Sequence, residues 1–434
     1  MLYENHGSMK ITEIECIPLL IPDYDAEACS SAQDNLVVKI RTDEGLIGIG
    51  ETDANPWAVK AMIEAPGTHC MGLGLKETLI GTDPLDVEGL WQRLYQGSAM
   101  NGRRGLGIHA GHIASTGCLL PVTEALSAAG GSAAFFGPSA KSYRYRGTDW
   151  GLPIDVACQV AAYRPDLLAR LDASVPQTWE EVRALGRRCA AHNQSIVIAL
   201  RGVHSLMTFF SLCANLGHPF ASEAGESRID TAAACEALAQ MRRLVELCRA
   251  PVLDFNSIDV QEALSASDEL VYCPGVYGFA AYGEADRERR LAFGPFPGAA
   301  LPRADAGSTI GGAGLGISAR VADDPEKADA AFAYLRFAAR AASQKDVFAR
   351  HHGQPAHVDV WNDPGIDARF GGFFSATRGT IERSWVRPRY DGYLSFQTRA
   401  GNLIEAHLRD KLSEHRLLDS LKTLDAECRP AISR

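Results

Sequence analysis

The chain has 434 residues, enough for about two or three domains with cores of their own. Its apolar content of 46% and charged content of 22% are ordinary for a globular protein, and its formal charge of −10 argues against a nucleic-acid partner, because phosphate binding wants a basic surface. No apolar run reaches the ~20 residues of a membrane span, so no membrane insertion is expected.

Eleven cysteines are scattered without a CxxC pair and read as buried free thiols of a reducing compartment. Residues 1–9 have neither a basic n-region nor an apolar h-region. The expected location is therefore the cytoplasm, or the periplasm or cell exterior if a fusion displaced an export signal.

In chain order, residues 9–20 read as a strand, and 36–42 and 46–52 as two short strands joined by the turn Asp43-Glu44-Gly45. A helical stretch follows Asn55-Pro56-Trp57. Another starts at Asp83-Pro84, with Leu85, Leu90, Trp91 and Leu94 on one side. Three strands followed by helices make an α+β unit. Beyond it, residues 128–139 are rich in Ala, Gly and Ser and read as the most flexible stretch. Residues 152–162 are strand-like, and Thr178-Trp179-Glu180-Glu181 is a capping box with a helix through Ala191. A buried strand is expected over 195–200, helices over 203–216 and 231–249, and a short strand over 269–272. The glycine-rich stretch 307–316 runs into an apolar strand over 315–319. Asp324-Pro325-Glu326 starts a further helix, and 400–424 is helical. Strands alternating with helices predict an α/β fold with mixed sheets.

Two family resemblances follow from these residues. Met9-Lys10-Ile11-Thr12, the hairpin 43–51, Gly81-Thr82-Asp83-Pro84 and the 103–109 segment resemble the N-terminal cap of the mandelate racemase/muconate lactonising branch of the enolase superfamily. Such a cap implies substrate-contacting loops over 22–33 and 52–57, with the chemistry on a separate barrel carrying lysine bases and magnesium ligands. After residue 110 the lysines are Lys141, Lys327, Lys345, Lys411 and Lys422 alone, with no Lys-x-Lys pair at a strand end. No catalytic residue and no cofactor is assigned. His109 and His112 have no third ligand and read as a solvated pair.

Residues 147–154, Tyr163-Arg164-Pro165-Asp166, the 175–182 segment around the capping box, 307–318 and Gly353-Gln354-Pro355 resemble family 1 extracellular solute-binding proteins of ABC sugar transporters. The implied fold is an α+β cap over 9–109 followed by a two-lobed, type II periplasmic-binding-protein-like α/β region over 112–430, with lobe one incomplete because the cap stands where its first strands belong. The implied function is non-enzymatic binding of a sugar or sugar acid, with an ABC transporter permease as a further partner. A magnesium-dependent sugar-acid dehydratase and an idle gene fusion are the alternatives.

Candidate ligand contacts follow from local chemistry. Glycines preceding a strand do not make a dinucleotide loop, which needs strand, glycines and then helix; Gly311 and Gly312 could instead bring backbone amides to a ligand. Tyr277, leaving a strand after a Pro-Gly break, and Trp150, at a strand start, could stack on a sugar face. Arg387-Pro388-Arg389-Tyr390 places two guanidiniums suited to a carboxylate, a phosphate or several hydroxyls. Trp179 reads as core, His351-His352 as a diverging pair, and Arg164 with Asp166 as a solvated turn.

Overall fold

The computed structural model describes residues 9–20, 34–52, 56–67, 73–87, 89–90, 93–94, 106–107, 114, 117–220, 229–298 and 307–429. The expected cap loop 22–33, residues 53–55 of the loop 52–57, Trp91, His109 and His112 lie outside them. The chain divides into two compact units, Met1–Arg104 and Gly105–Arg434.

In the first unit Ile11–Leu20, Asp34–Thr42 and Ile47–Thr52 form an antiparallel sheet in that order. A register shift between Ile11 and Glu13 adds one residue, so Ile11 and Ile14 are both buried despite their odd spacing. Gly45 takes a φ of +81° in the tight turn between the second and third strands. The Pro56–Glu64 helix lies near the first two strands, and Lys60 donates to the Cys16 carbonyl at 2.8 Å. The edge strand leaves Ile47 and Ile49 exposed, as is Leu85 further on.

The second unit is built on a mixed sheet. Ala157–Tyr163 is flanked by Leu270–Tyr277 and Ala292–Gly294, both antiparallel to it, and Ser195–Ile196 runs parallel beyond Leu270–Tyr277. Ile310–Gly311 pairs with the start of the central strand, Ala157 and Cys158. Two residues later, past Gly312, the same segment enters a second, three-stranded sheet. There Ala313–Leu315 lies between Leu106–Gly107 and Leu152–Pro153. Two antiparallel segments therefore pass together from one sheet to the other, and a third runs beside them through the bridge between Asp155 and Pro355.

The reason this crossing can be so close is compositional. Gly312 has φ +129°, and a Cβ there would stand 2.4 Å from the Asp155 carbonyl oxygen. Helices Trp179–Ala191, Val203–Asn215, Thr231–Glu246, Tyr393–Leu408 and Glu414–Cys428 belong to the same unit. The first is closed by the expected capping box: Thr178 accepts from the Glu181 amide, and the Glu181 carboxylate accepts from the Thr178 amide. Asp324 caps Pro325–Ala339 by accepting from the Lys327 amide. Among the described residues no helix is long and apolar enough to cross a membrane.

Several sequence expectations need correction. Only Ser195–Ile196 of the expected strand 195–200 is a strand. The amide of Leu200 instead bonds the carbonyls of Val252 and Phe255, so the apolar run stays buried without a regular ladder. The strand expected over 269–272 runs on to Tyr277, because a bulge between Cys273 and Val276 absorbs Pro274, which has no N–H for a central ladder. Residues 128–139 are pinned: Phe135 and Phe136 are buried, and Phe136 stacks on Trp361 with centroids 4.2 Å apart. Arg164 is no solvated turn. Its side chain is 4% exposed and pairs with Asp166 at 2.8 Å and Asp268 at 3.1 Å, while also donating to the carbonyls of Leu264 and Ser267. Nor do His351 and His352 share a helix. His352 turns into the left-handed region at φ +64°, and its Nδ1 lies 2.7 Å from the Glu284 carboxylate.

Gly312→Ala should lower stability by roughly 2–4 kcal/mol, since it adds both a backbone clash and a strained φ. Urea unfolding checks this; a midpoint within error of the parent would mean that the crossing has room to give.

Candidate ligand-binding site

The site is assembled on the crossing. Trp385 pairs with the 308–310 segment: it donates from its amide to the Ser308 carbonyl at 2.8 Å, and Ile310 donates to the Trp385 carbonyl at 2.9 Å. Two residues on, Arg387 lies between two helices. Its Nη1 donates to Gln397 Oε1 on Tyr393–Leu408 at 2.8 Å and meets Met207 Sδ on Val203–Asn215 at 3.4 Å. Its Nε is buried with no hydrogen-bond partner. No carboxylate among the described residues forms an ion pair with it.

Arg387 bears electrostatically on three tyrosines and a histidine. Tyr143 and Tyr393 are almost wholly buried and Tyr277 is half-buried. Burial raises all three phenols above their ordinary range, and the Arg387 charge works against that rise. Asp155 pushes Tyr143 further up. His204 is pressed down to about 4, first by burial and then by Arg201 and Arg387, so its ring is neutral at pH 7. Its Nδ1 faces Ser257 Oγ at 3.3 Å, whereas its Nε2 is buried without a partner, as is Tyr143 Oη.

Two of the tyrosines owe their positions to glycines of the crossing segment. A Cβ at Gly311 would lie 2.8 Å from the Tyr277 ring, and one at Gly314 would lie 2.7 Å from the Tyr143 ring. The role expected of Gly311 and Gly312 was to offer amides; in the fold they permit close approach of Tyr277 and of Asp155. Beneath them is a buried polar network. Ser211 Oγ donates to Gln159 Oε1 at 2.6 Å, Gln159 Nε2 donates to Thr208 Oγ1 at 3.1 Å, and Tyr277 Oη lies 2.9 Å from Thr309 Oγ1. This network ties the central strand, the Val203–Asn215 helix and the crossing segment together.

The other expected contacts are engaged internally. Trp150 is half-buried and donates its indole N–H to the Tyr145 carbonyl at 3.2 Å. Arg389 donates to the carbonyls of Lys141 and Arg144, bracing the turn that presents Tyr143. Trp179 is core, edge-on to Phe296 with centroids 5.2 Å apart. Sequence reasoning missed Tyr143, His204 and Gln397. His204 did leave a signal, as a lone imidazole at the start of an apolar helix, but a core histidine gives the same signal.

Two concavities lie elsewhere. One of about 610 Å³ is lined by first-unit residues including Leu73, Glu77, Ile80, Asp83 and Arg93. One of about 190 Å³ adjoins Trp179, Arg183 and Asn215, where Arg183 is already paired with Glu180 and the Trp179 indole bonds Asn215. Among the described residues no group of three His, Cys, Asp or Glu is placed to hold a metal ion.

A family profile described as bacterial extracellular solute-binding protein matches residues 107–361. Among solved structures, maltose-bound MalE3 of T. maritima aligns with a TM-score of 0.64 at 20% identity, covering 79% of this chain and 89% of that one. A ribitol-bound ABC transporter solute-binding protein of Agrobacterium radiobacter aligns at 0.62 with 18% identity and the same coverages. The GacH receptor of Streptomyces glaucescens, solved unliganded and with acarbose, aligns at 0.60 with 17% identity, covering 76% of this chain and 86% of that one. No curated protein matches the sequence. At these identities the likeness establishes the fold, a two-lobed α/β architecture.

Two consequences are measurable. Between pH 6.5 and 4 the unfolded chain takes up a proton at His204 that the native chain refuses, so stability falls as pH falls through that window, by up to ~1.4 kcal/mol per pH unit. His204→Gln should flatten this slope in urea titrations; an unchanged slope would show that the imidazole is not held neutral. Tyr143→Phe removes a buried hydroxyl without a partner and should raise stability by about 1 kcal/mol, read as a higher unfolding midpoint. A lower midpoint would mean that the hydroxyl is bonded in solution.

Proposed function

Since the chain belongs to the family of bacterial extracellular solute-binding proteins, we propose that it binds a sugar or sugar derivative, without turnover, at the Arg387 cluster. The supporting observation is that Tyr143 and Tyr277 lie against the crossing segment at Gly314 and Gly311, that Arg387 meets Met207 on the helix that carries His204, and that Tyr143 Oη, His204 Nε2 and Arg387 Nε are buried and unpartnered. A polyhydroxy ligand supplies what these atoms lack. Its hydroxyls accept from the guanidinium and exchange hydrogen bonds with phenol and imidazole, and its apolar face packs on a tyrosine ring.

The crossing at Gly312 supplies a hinge. Three neighbouring segments, around Asp155, Gly312 and Pro355, pass between the two sheets there, so rotation about them would open the sheets to admit a ligand and close them over it. Coverage of 89% of the maltose-bound chain supports a cleft with both of its walls. Maltose, ribitol and acarbose, bound by three relatives of this fold, are consistent with a sugar or polyol. An ABC transporter permease is the partner that this role implies.

The first unit is read as an appended cap of enolase type. Its support is the order of three antiparallel strands followed by helices and the hairpin turn at Asp43-Glu44-Gly45.

Thermal unfolding across a panel of hexoses, disaccharides, alditols and sugar acids, with and without magnesium, tests this reading. A ligand at a hundred times its Kd should stabilise the fold by ~2.7 kcal/mol with no metal requirement, and Tyr277→Ala should reduce the shift. Magnesium-dependent loss of water from any panel member, or no shift with any of them, would overturn the reading.

A further inference from the structure

We infer that the ligand is a sugar acid whose carboxylate is seated on Arg387, with Tyr143 and His204 completing its hydrogen bonds. This deepens the binding reading above and rests on it. The observation is an imbalance of charge. Desolvating a guanidinium costs several kcal/mol unless an opposite charge and well-placed acceptors compensate. Elsewhere in this fold the rule is kept. Arg164, with 4% of its side chain exposed, has Asp166 and Asp268 within 3.1 Å. Glu284, 9% exposed, lies 2.7 Å from His352 and 3.5 Å from Arg369.

Arg387 alone among these has a neutral amide and a thioether as partners, with its Nε buried and unmatched. Asp155 bears on Tyr143 and raises its phenol. The surroundings keep the cation available. Tyr143, Tyr277 and Tyr393 are phenols held protonated by burial, and His204 is a neutral imidazole, so none of them supplies a negative charge.

A carboxylate offers an acceptor to each of these unmatched groups. One oxygen accepts from Arg387 Nε, in the planar geometry that suits a guanidinium. The other is within the chemistry of the Tyr143 hydroxyl and of His204 Nε2, which donates when the proton of the neutral ring sits on that nitrogen. A neutral sugar offers only hydroxyl oxygens, and these compensate a partly desolvated cation less well than an anion does. The remaining hydroxyls of the sugar would meet the half-buried face of Tyr277.

Isothermal titration of the full chain tests this with matched pairs: D-galacturonate and D-gluconate against D-galactose and D-glucitol. The expected result is at least a hundredfold preference for an acid over its neutral counterpart, ~2.8 kcal/mol at 1.4 kcal/mol per tenfold. Arg387→Gln should erase that preference, while Arg387→Lys keeps part of it because the charge remains but the planar fork is lost. Tyr143→Phe, which leaves the free protein intact, should weaken acid binding about tenfold, and it decides the matter if Arg387→Gln does not fold. Neutral sugars binding as tightly as acids, or an acid preference that survives Arg387→Gln, would overturn the carboxylate assignment and leave the sugar-binding reading standing. Heat from neither class would overturn both.

Discussion

The close crossing of residues 310–315 over residues 152–158 is the constraint on which the second unit depends. It is possible only because three positions in that segment lack side chains. Gly312 lies against the Asp155 carbonyl, Gly311 lets the Tyr277 ring lie on the backbone, and Gly314 does the same for Tyr143. The same glycines thus join the two sheets and create the floor on which two aromatic site residues rest. Loss of any one of them would move either a ring or a strand, so the geometry of the crossing and the placement of the two rings are coupled by sterics.

Polar satisfaction separates the parts of this fold that hold it together from the part that is left open. The Gln159, Thr208, Ser211 and Thr309 network is fully engaged, and its members are buried. Such a network rigidifies the junction of strand, helix and crossing segment because each bond would be costly to leave unmade. A few residues away, Arg387 Nε, Tyr143 Oη and His204 Nε2 have no partner within the protein. Other buried polar atoms lack a partner elsewhere, Gln240 Nε2 and Ser265 Oγ among them, but here the unmatched groups include a guanidinium beside a saturated network.

The first unit follows a different logic. Its sheet has one buried side, marked by Ile11, Ile14, Cys16 and Leu36, and an edge strand whose Ile47 and Ile49 are exposed. Its recognisable features are local: a tight turn with a glycine in the left-handed region and a bulge that restores the inward phase of the first strand.

What the sequence by itself determined is what neighbours in the chain can settle. The capping box at Thr178, the aspartate cap at Asp324, the turn at Asp43-Glu44-Gly45 and the alternation of strands and helices depend on contacts a few residues apart, and each is in place. Arg387 and Tyr277 could be singled out as candidates from their local chemistry, but not as neighbours. Tertiary structure decided the rest. It carried the Leu270–Tyr277 strand through Pro274, because only the adjoining strands define where a bulge can sit. It paired Arg164 with Asp268, 104 residues away, and brought Arg387 against Met207, 180 residues away. No periodicity or spacing encodes encounters over such distances. They arise when the sheets close and the glycines let the backbones touch, and so the site could be read only from the folded chain.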